Sequence, residues 1–173
     1  MCDSAGMTSE TTGRTGATER FEVARDVAAP PEQVFALLCD PRGHVAVDSS
    51  GMLQSADGEP VRAVGDTFVV HMDREALGDL PMGRYDVTVV ITAYAQDRLI
   101  EWTISGTVRP PLRHLYGYRL DALPDGRGTR VTSYYDWSEI DPVHREKGVF
   151  PVIPESALRA TLGILARTVE HRP

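Results

Sequence analysis

"PESALRATLGILARTVEH", residues 154–171, is the stretch on which the architecture turns. Leu158, Leu162, Leu165 and Val169 recur at i, i+4, i+7 and i+11, with Ala157 and Thr161 filling in beside them. That spacing puts one apolar stripe along a helix. Glu155 stands in the first turn and Arg167, His171 and Arg172 near the end, the polarity that the helix dipole favours. Gly163 is a soft spot, costing about 1 kcal/mol against alanine, and it either permits close packing or leaves room. A helix with one greasy stripe needs an apolar surface to lie on. The rest of the chain has to supply it.

Working back from that helix, the pattern is one of strands. "GTRVTSYYDW", 128–137, alternates Val131, Ser133, Tyr135 and Trp137 against Arg130, Thr132, Tyr134 and Asp136. The first set turns apolar and aromatic, so it is expected to face the helix. Tyr134 and Asp136 are expected on the outer face. "LPDGRGTRV" is a turn of Pro, Asp and Gly that makes this strand the second arm of a hairpin. Its first arm, "HLYGYRLDAL", places Tyr116, Tyr118 and Leu120 together. "RLIEWTISG" sets Ile100, Trp102 and Ile104 on one face, and "GRYDVTVVITAYA" does the same with Tyr85, Val87, Val89 and Ile91. "GDTFVVHMD" alternates Phe68, Val70 and Met72 with Thr67, Val69, His71 and Asp73, and "GMLQSA" is a short strand before it.

The first folded segment is "RFEVARDVAAP", where Phe21, Val23, Arg25 and Val27 mark a strand that stops at two prolines. "PPEQVFALLCD" then starts a helix with Pro31 in its first turn and Val34, Phe35, Leu37 and Leu38 on its apolar side. "DPRGH" ends it and opens a short second one. The fold class is therefore α+β: one curved antiparallel sheet of six to seven strands wrapped around a long C-terminal helix. One or two short helices follow the first strand. Residues 1–19 are small and polar and read as a disordered tail, with a start at Met1 or Met7, leaving 20–173 as one ligand-binding domain.

Composition removes several functions. A net charge of −7 gives no basic face for phosphates, so no nucleic acid is expected. No run approaches the ~18 apolar residues of a membrane span, and the N-terminus has no apolar signal core, so the expectation is a cytoplasmic protein with no membrane partner. Cys2 and Cys39 form neither a disulfide framework nor a metal spacing, and Cys39 beside Leu37 and Leu38 reads as a small core residue. The five histidines show no ligand spacing. His71 and Asp73 share a strand face and make at most a corner of a site, more simply a solvated one. Neither a metal nor a cofactor is expected, and no glycine-rich phosphate loop or nucleophile elbow is present.

Several of these segments together resemble a known group. "FEVARDVAAPPEQVFALLCDPRGH", "DPRGHVAVDSSGML", "YDVTVVITAYAQDRLIEW" and "LDALPDGRGTRVTSYYDWSEI" are similar, in that order, to segments of the START-like or SRPBCC superfamily. The nearest likeness is to its bacterial polyketide cyclase/dehydrase branch. The resemblance spans about residues 20 to 172 and implies the helix-grip fold, with a cavity between sheet and long helix. Members of the superfamily include carriers of hydrophobic ligands, cyclases, dehydratases, hormone receptors and chaperone-activating domains. No motif of the group fixes a mechanism, and no catalytic residue carries over.

The functional expectation is a small hydrophobic or aromatic ligand held in that cavity. Its candidate lining is Val87, Val89, Trp102, Tyr116, Tyr118, Ser133, Tyr135, Trp137, Leu158, Leu162 and Leu165, each of which serves equally well as core. The loop "DREALGDLPMGRYD", with Leu77, Leu80 and Met82, covers the cavity mouth or is a plain exposed loop, and "PVHREKGVFPVIP" shapes an entrance. An alternative is a cyclase or dehydratase using cavity Tyr with Arg or His as acid and base, Arg84 and His71 among the candidates. A third reading is a protein-interaction module, which needs an exposed apolar patch that the outer strand faces do not offer. Oligomeric state is not legible.

Overall fold

The computed structural model describes residues 18–78 and 81–171. The expected tail and Leu80 thus lie, apart from residues 18 and 19, outside the described residues. Seven strands form one antiparallel sheet: β1 (Arg20–Val27), β2 (Leu53–Asp57), β3 (Thr67–Asp73), β4 (Arg84–Ala95), β5 (Leu99–Ser105), β6 (Leu115–Ala122) and β7 (Thr129–Asp136). Their order across the sheet is β1-β7-β6-β5-β4-β3-β2. Five consecutive hairpins thus run from β2 to β7, and the first strand closes on the last. Helices α1 (Pro31–Cys39) and α2 (Pro41–Val47) follow β1, α3 (Pro142–Glu146) follows β7, and α4 (Glu155–Glu170) ends the chain. This is the expected α+β helix-grip architecture.

Local chemistry explains the breaks. Pro31 and Pro41 occupy first turns, where a missing N–H costs nothing. Between them Asp40 ends α1 and caps α2, its Oδ1 accepting from the Arg42 N–H at 2.9 Å. Gly43 lets the two helices meet at this corner: a Cβ there would collide with the Leu37 carbonyl. In β4 the register shifts between Ile91 and Ala93. That bulge turns Tyr94 inward to an edge contact with Phe35, ring centroids 5.3 Å apart.

The inner face of the sheet is read off the pairing. Phe21, Tyr135, Tyr116 and Trp102 lie in one row across β1, β7, β6 and β5, and Val23, Ser133, Tyr118 and Ile100 in the next. Helix α4 packs on β1 and β7 and against α1 and α2. It is tied at both ends. The Ala28 N–H donates to Glu170 at 2.9 Å and the Gln33 amide to the Val169 carbonyl at 3.0 Å. At the other end Ser49 donates to the Ala157 carbonyl at 3.0 Å, and Thr161 to Ser49 at 2.9 Å. Gly163 leaves room, with the Arg25 guanidinium 3.8 Å from where its Cβ would be. Cys39 is buried in the core as expected.

On the outer face Tyr134 lies flat over Gly117, filling the space a Cβ would take. Its hydroxyl donates to Glu101 at 2.8 Å, and the Arg20 guanidinium sits 4.4 Å from its ring centroid. Further along that face His71 bridges three strands: Nδ1–H donates to Asp86 on β4 at 2.7 Å and Nε2–H to Asp57 on β2 at 3.0 Å. The Asp57 bond first, then that to Asp86, raises the His71 pKa from its ordinary value. A raised histidine pKa stabilises the fold in its protonated form; the contribution is full below the ordinary histidine value and is lost as pH rises through the raised one. Thermal melts of the native chain and His71→Asn between pH 5 and 9 should therefore differ at the acid end and converge at the alkaline end. A difference that grows with pH would refute this.

Candidate functional site: a cavity between the sheet and the start of the last helix

Because α4 covers β1 and β7, the inner faces of β3 to β6 are left to α1, α2, the α2–β2 loop and the first turns of α4. There the layers enclose a half-open cavity of about 170 Å³. The sheet contributes Val70, Met72, Val87, Val89, Trp102 and Ile104, and the opposite wall Leu38, Val47, Met52, Ala157 and Leu158. Ile153, from the segment before α4, closes one side. Most of the lining is apolar, so displacement of water by an apolar guest is favourable in proportion to the area covered.

The aromatic residues form a ladder rather than a plate. Trp102 lies nearly parallel to Tyr116 at 6.0 Å and to Tyr118 at 5.9 Å, and Tyr116 stacks on Tyr135 at 4.5 Å. Near-parallel rings at these separations attract one another beyond their buried area. Burial pushes the Tyr118 phenol up to about 12, with the Ser133 hydroxyl beside it and Asp48 near. Burial likewise raises Tyr116, which stands next to Tyr135. Both are neutral phenols at neutral pH.

Of the residues expected to line a cavity, Val87, Val89, Trp102, Tyr116, Tyr118, Ser133 and Leu158 do line this one. Tyr135, Trp137, Leu162 and Leu165 face inward but belong to the core. Leu162 and Leu165 sit one and two turns further along α4, where that helix is in contact with the sheet. Tyr135 is completely enclosed, its hydroxyl sharing a hydrogen bond with His114 Nδ1 at 3.1 Å. Trp137 lies past the end of β7, edge-on to Phe21 at 4.7 Å. The acid–base candidates Arg84 and His71 lie on the other side of the sheet. Asp73 pairs with Arg84 at 3.4 Å rather than with His71. Leu77 and Met82 are exposed and are not part of the lining.

Sequence reasoning passed over the polar residues of the α2 region: His44, Asp48, Ser49 and Ser50. They come from a short helix and a loop, where neither periodicity of 3.6 nor of 2 operates. The one available signal was "DPRGHVAVDSSG", a capped two-turn helix followed by turn residues. Asp48 is committed to that turn. Its Oδ1 accepts from the Ser50 N–H at 2.9 Å and hydroxyl at 2.7 Å, and its Oδ2 from the Leu53 N–H at 3.1 Å. Among the described residues no group of three or more metal-ligating side chains occurs, and no helix is long and apolar enough to cross a membrane.

The family model described as polyketide cyclase / dehydrase and lipid transport matches residues 18–170. An uncharacterized protein of Mycobacterium tuberculosis, Rv0088, is 33% identical over 113 residues, covering 65% of this chain and 45% of that protein. The chain thus spans under half the length of that relative. Among solved structures, protein MLL2253 from Mesorhizobium loti superposes with a TM-score of 0.59 at 17% identity, over 89% of this chain and 98% of that one. Protein Ms6760 from Mycobacterium smegmatis gives 0.60 at 16% identity, over 88% and 92%. At such identities the likeness is one of fold.

Proposed function

Because the chain belongs to the polyketide cyclase / dehydrase and lipid transport family, within the START-like (SRPBCC) superfamily, we propose that it binds a small hydrophobic or aromatic molecule between the sheet and the start of α4. One observation carries this reading: the layers part over β3 to β6 and leave a mostly apolar cavity of about 170 Å³ beside a stacked aromatic wall. A filled interior would be the cheaper way to stabilise a fold of this size, since voids in cores cost free energy. Native mass spectrometry of the chain purified from its producing cell should show a bound small molecule. Titration with a fluorescent apolar probe should saturate at one site per chain. A probe that never saturates would refute the proposal.

A second reading, a polyketide cyclase-like enzyme, draws support from several ionisable groups meeting in the one cavity: His44, Asp48, Tyr116 and Tyr118. The electrostatics of His44 and Tyr118 favour binding over proton transfer. An efficient acid–base group has a pKa near the working pH, whereas burial brings His44 down to about 4 and pushes Tyr118 up to about 12. Both therefore stay in one neutral form through the physiological range.

A further inference from the structure

We propose that His44 selects the ligand, accepting at Nδ1 a hydrogen bond from a donor group such as a phenol, enol or alcohol. The inference deepens the cavity reading and rests on it. His44 is fixed by three neighbours. Its Nε2 lies 2.8 Å from the Leu38 carbonyl, and its ring meets Phe68 and Trp102 edge-on at 4.9 and 4.8 Å. A carbonyl can only accept, so the proton is on Nε2 and Nδ1 carries a lone pair. Burial holds the ring neutral, with its pKa down to about 4, so Nδ1 is an acceptor at every physiological pH.

The polar groups of the α2–β2 loop in the lining are committed to protein partners. Ser49 donates to the Ala157 carbonyl and accepts from Thr161. Ser50 donates to Asp48 and accepts from the Met52 N–H at 3.0 Å. Both Asp48 oxygens are engaged in the turn. Tyr118 and Ser133 stand against each other, and Tyr116 against Tyr135. His44 Nδ1 has no hydrogen-bond partner among the described residues, and it is not sealed in. The one fully enclosed side-chain nitrogen or oxygen without a partner among them is His114 Nε2. An open lone pair on a ring that lines an apolar cavity is left unsatisfied by a hydrocarbon guest and satisfied by a donor. The same asymmetry gives hydrogen-bonding pockets their discrimination against analogues that lack the matching group.

Three probes of nearly one shape test this with the native chain: naphthalene, 2-methoxynaphthalene, which only accepts, and 2-naphthol, which donates. By isothermal titration, 2-naphthol should bind about tenfold more tightly than either of the others, the value of one net hydrogen bond. The ¹⁵N resonance of His44 Nδ1 should shift with 2-naphthol and not with naphthalene. In His44→Phe, the preference for 2-naphthol over naphthalene and over 2-methoxynaphthalene should disappear. Equal binding of all three probes, tighter binding of the methoxy compound, or an unmoved His44 resonance would overturn the assignment to His44 and leave the cavity reading standing. Failure of every probe to bind would instead overturn the cavity reading and the assignment with it.

Discussion

Gly43→Ala should lower the melting temperature by about 6–12 °C, the equivalent of about 3 kcal/mol in a chain of this length. Propensity alone gives the opposite sign, since alanine in place of glycine inside a helix is worth about 1 kcal/mol of stabilisation. Steric exclusion wins here because the added Cβ would overlap the Leu37 carbonyl oxygen, a backbone atom that cannot rotate away. Relief requires α2 to separate from α1. That movement would also draw the His44 ring off the Leu38 carbonyl, so the variant should lose cavity binding as well as stability. Gly106→Ala is the control, since nothing lies within 4 Å of its Cβ position, and it should leave the melting temperature where it is. A Gly43→Ala chain as stable as the control would mean that the corner between α1 and α2 is looser than described.

Ala157→Trp should abolish probe binding, on the order of a hundredfold in affinity, while moving the melting temperature by no more than about 4 °C. Ala157 lies in the first turn of α4 on the cavity wall, and its carbonyl, which Ser49 bonds, is backbone and survives the substitution. An indole there grows into existing space instead of displacing packed atoms, which separates it from ordinary overpacking. Circular dichroism and a fluorescent apolar probe measure the two effects on one sample. Retained affinity in a folded Ala157→Trp chain would place the binding site elsewhere. A collapse in stability would mean that the space is smaller than about 170 Å³.

The acid side of the His71 bridge adds a contrast between the two faces of the sheet. On the outer face, a histidine between two exposed carboxylates is held towards its charged form. On the inner face, His44 is held neutral by burial. The two histidines have the same chemistry, and the difference comes from desolvation on one side and carboxylate hydrogen bonds on the other.

Much of this was legible in the chain itself. Alternation with period two assigned Val87, Val89, Trp102, Tyr116, Tyr118, Ser133 and Tyr135 to the inner face and Tyr134 and Asp136 to the outer one. A one-residue slip would reverse every side chain, so the assignment is robust wherever the strand is regular. The stripe of Leu158, Leu162, Leu165 and Val169 fixed which side of the last helix is buried. Arg84 and His71 as cavity groups failed because a charged or polar side chain on the outer half of an alternating strand stays there unless a bulge intervenes. The register shifts of the described sheet lie elsewhere, between Leu53 and Ser55 on β2 and between Ile91 and Ala93 on β4.

Periodicity says which face of an element is covered, and it is silent on how far away the cover lies. Leu158 and Leu162 occupy the same stripe one turn apart, yet one borders a cavity and the other is core. Only the tertiary arrangement decides between them, because α4 lies on β1 and β7 and diverges from β3 to β6. The same arrangement brings His44 and the "VDSS" turn across to Trp102 and Tyr118, residues far apart in the chain, with the His44 ring on the cavity lining. Sequence by itself determined the sheet, the helix and their facing surfaces, since those follow from local spacing and burial. Where the surfaces part, and which polar atoms are left facing the gap, depends on distances between elements, which no local pattern encodes.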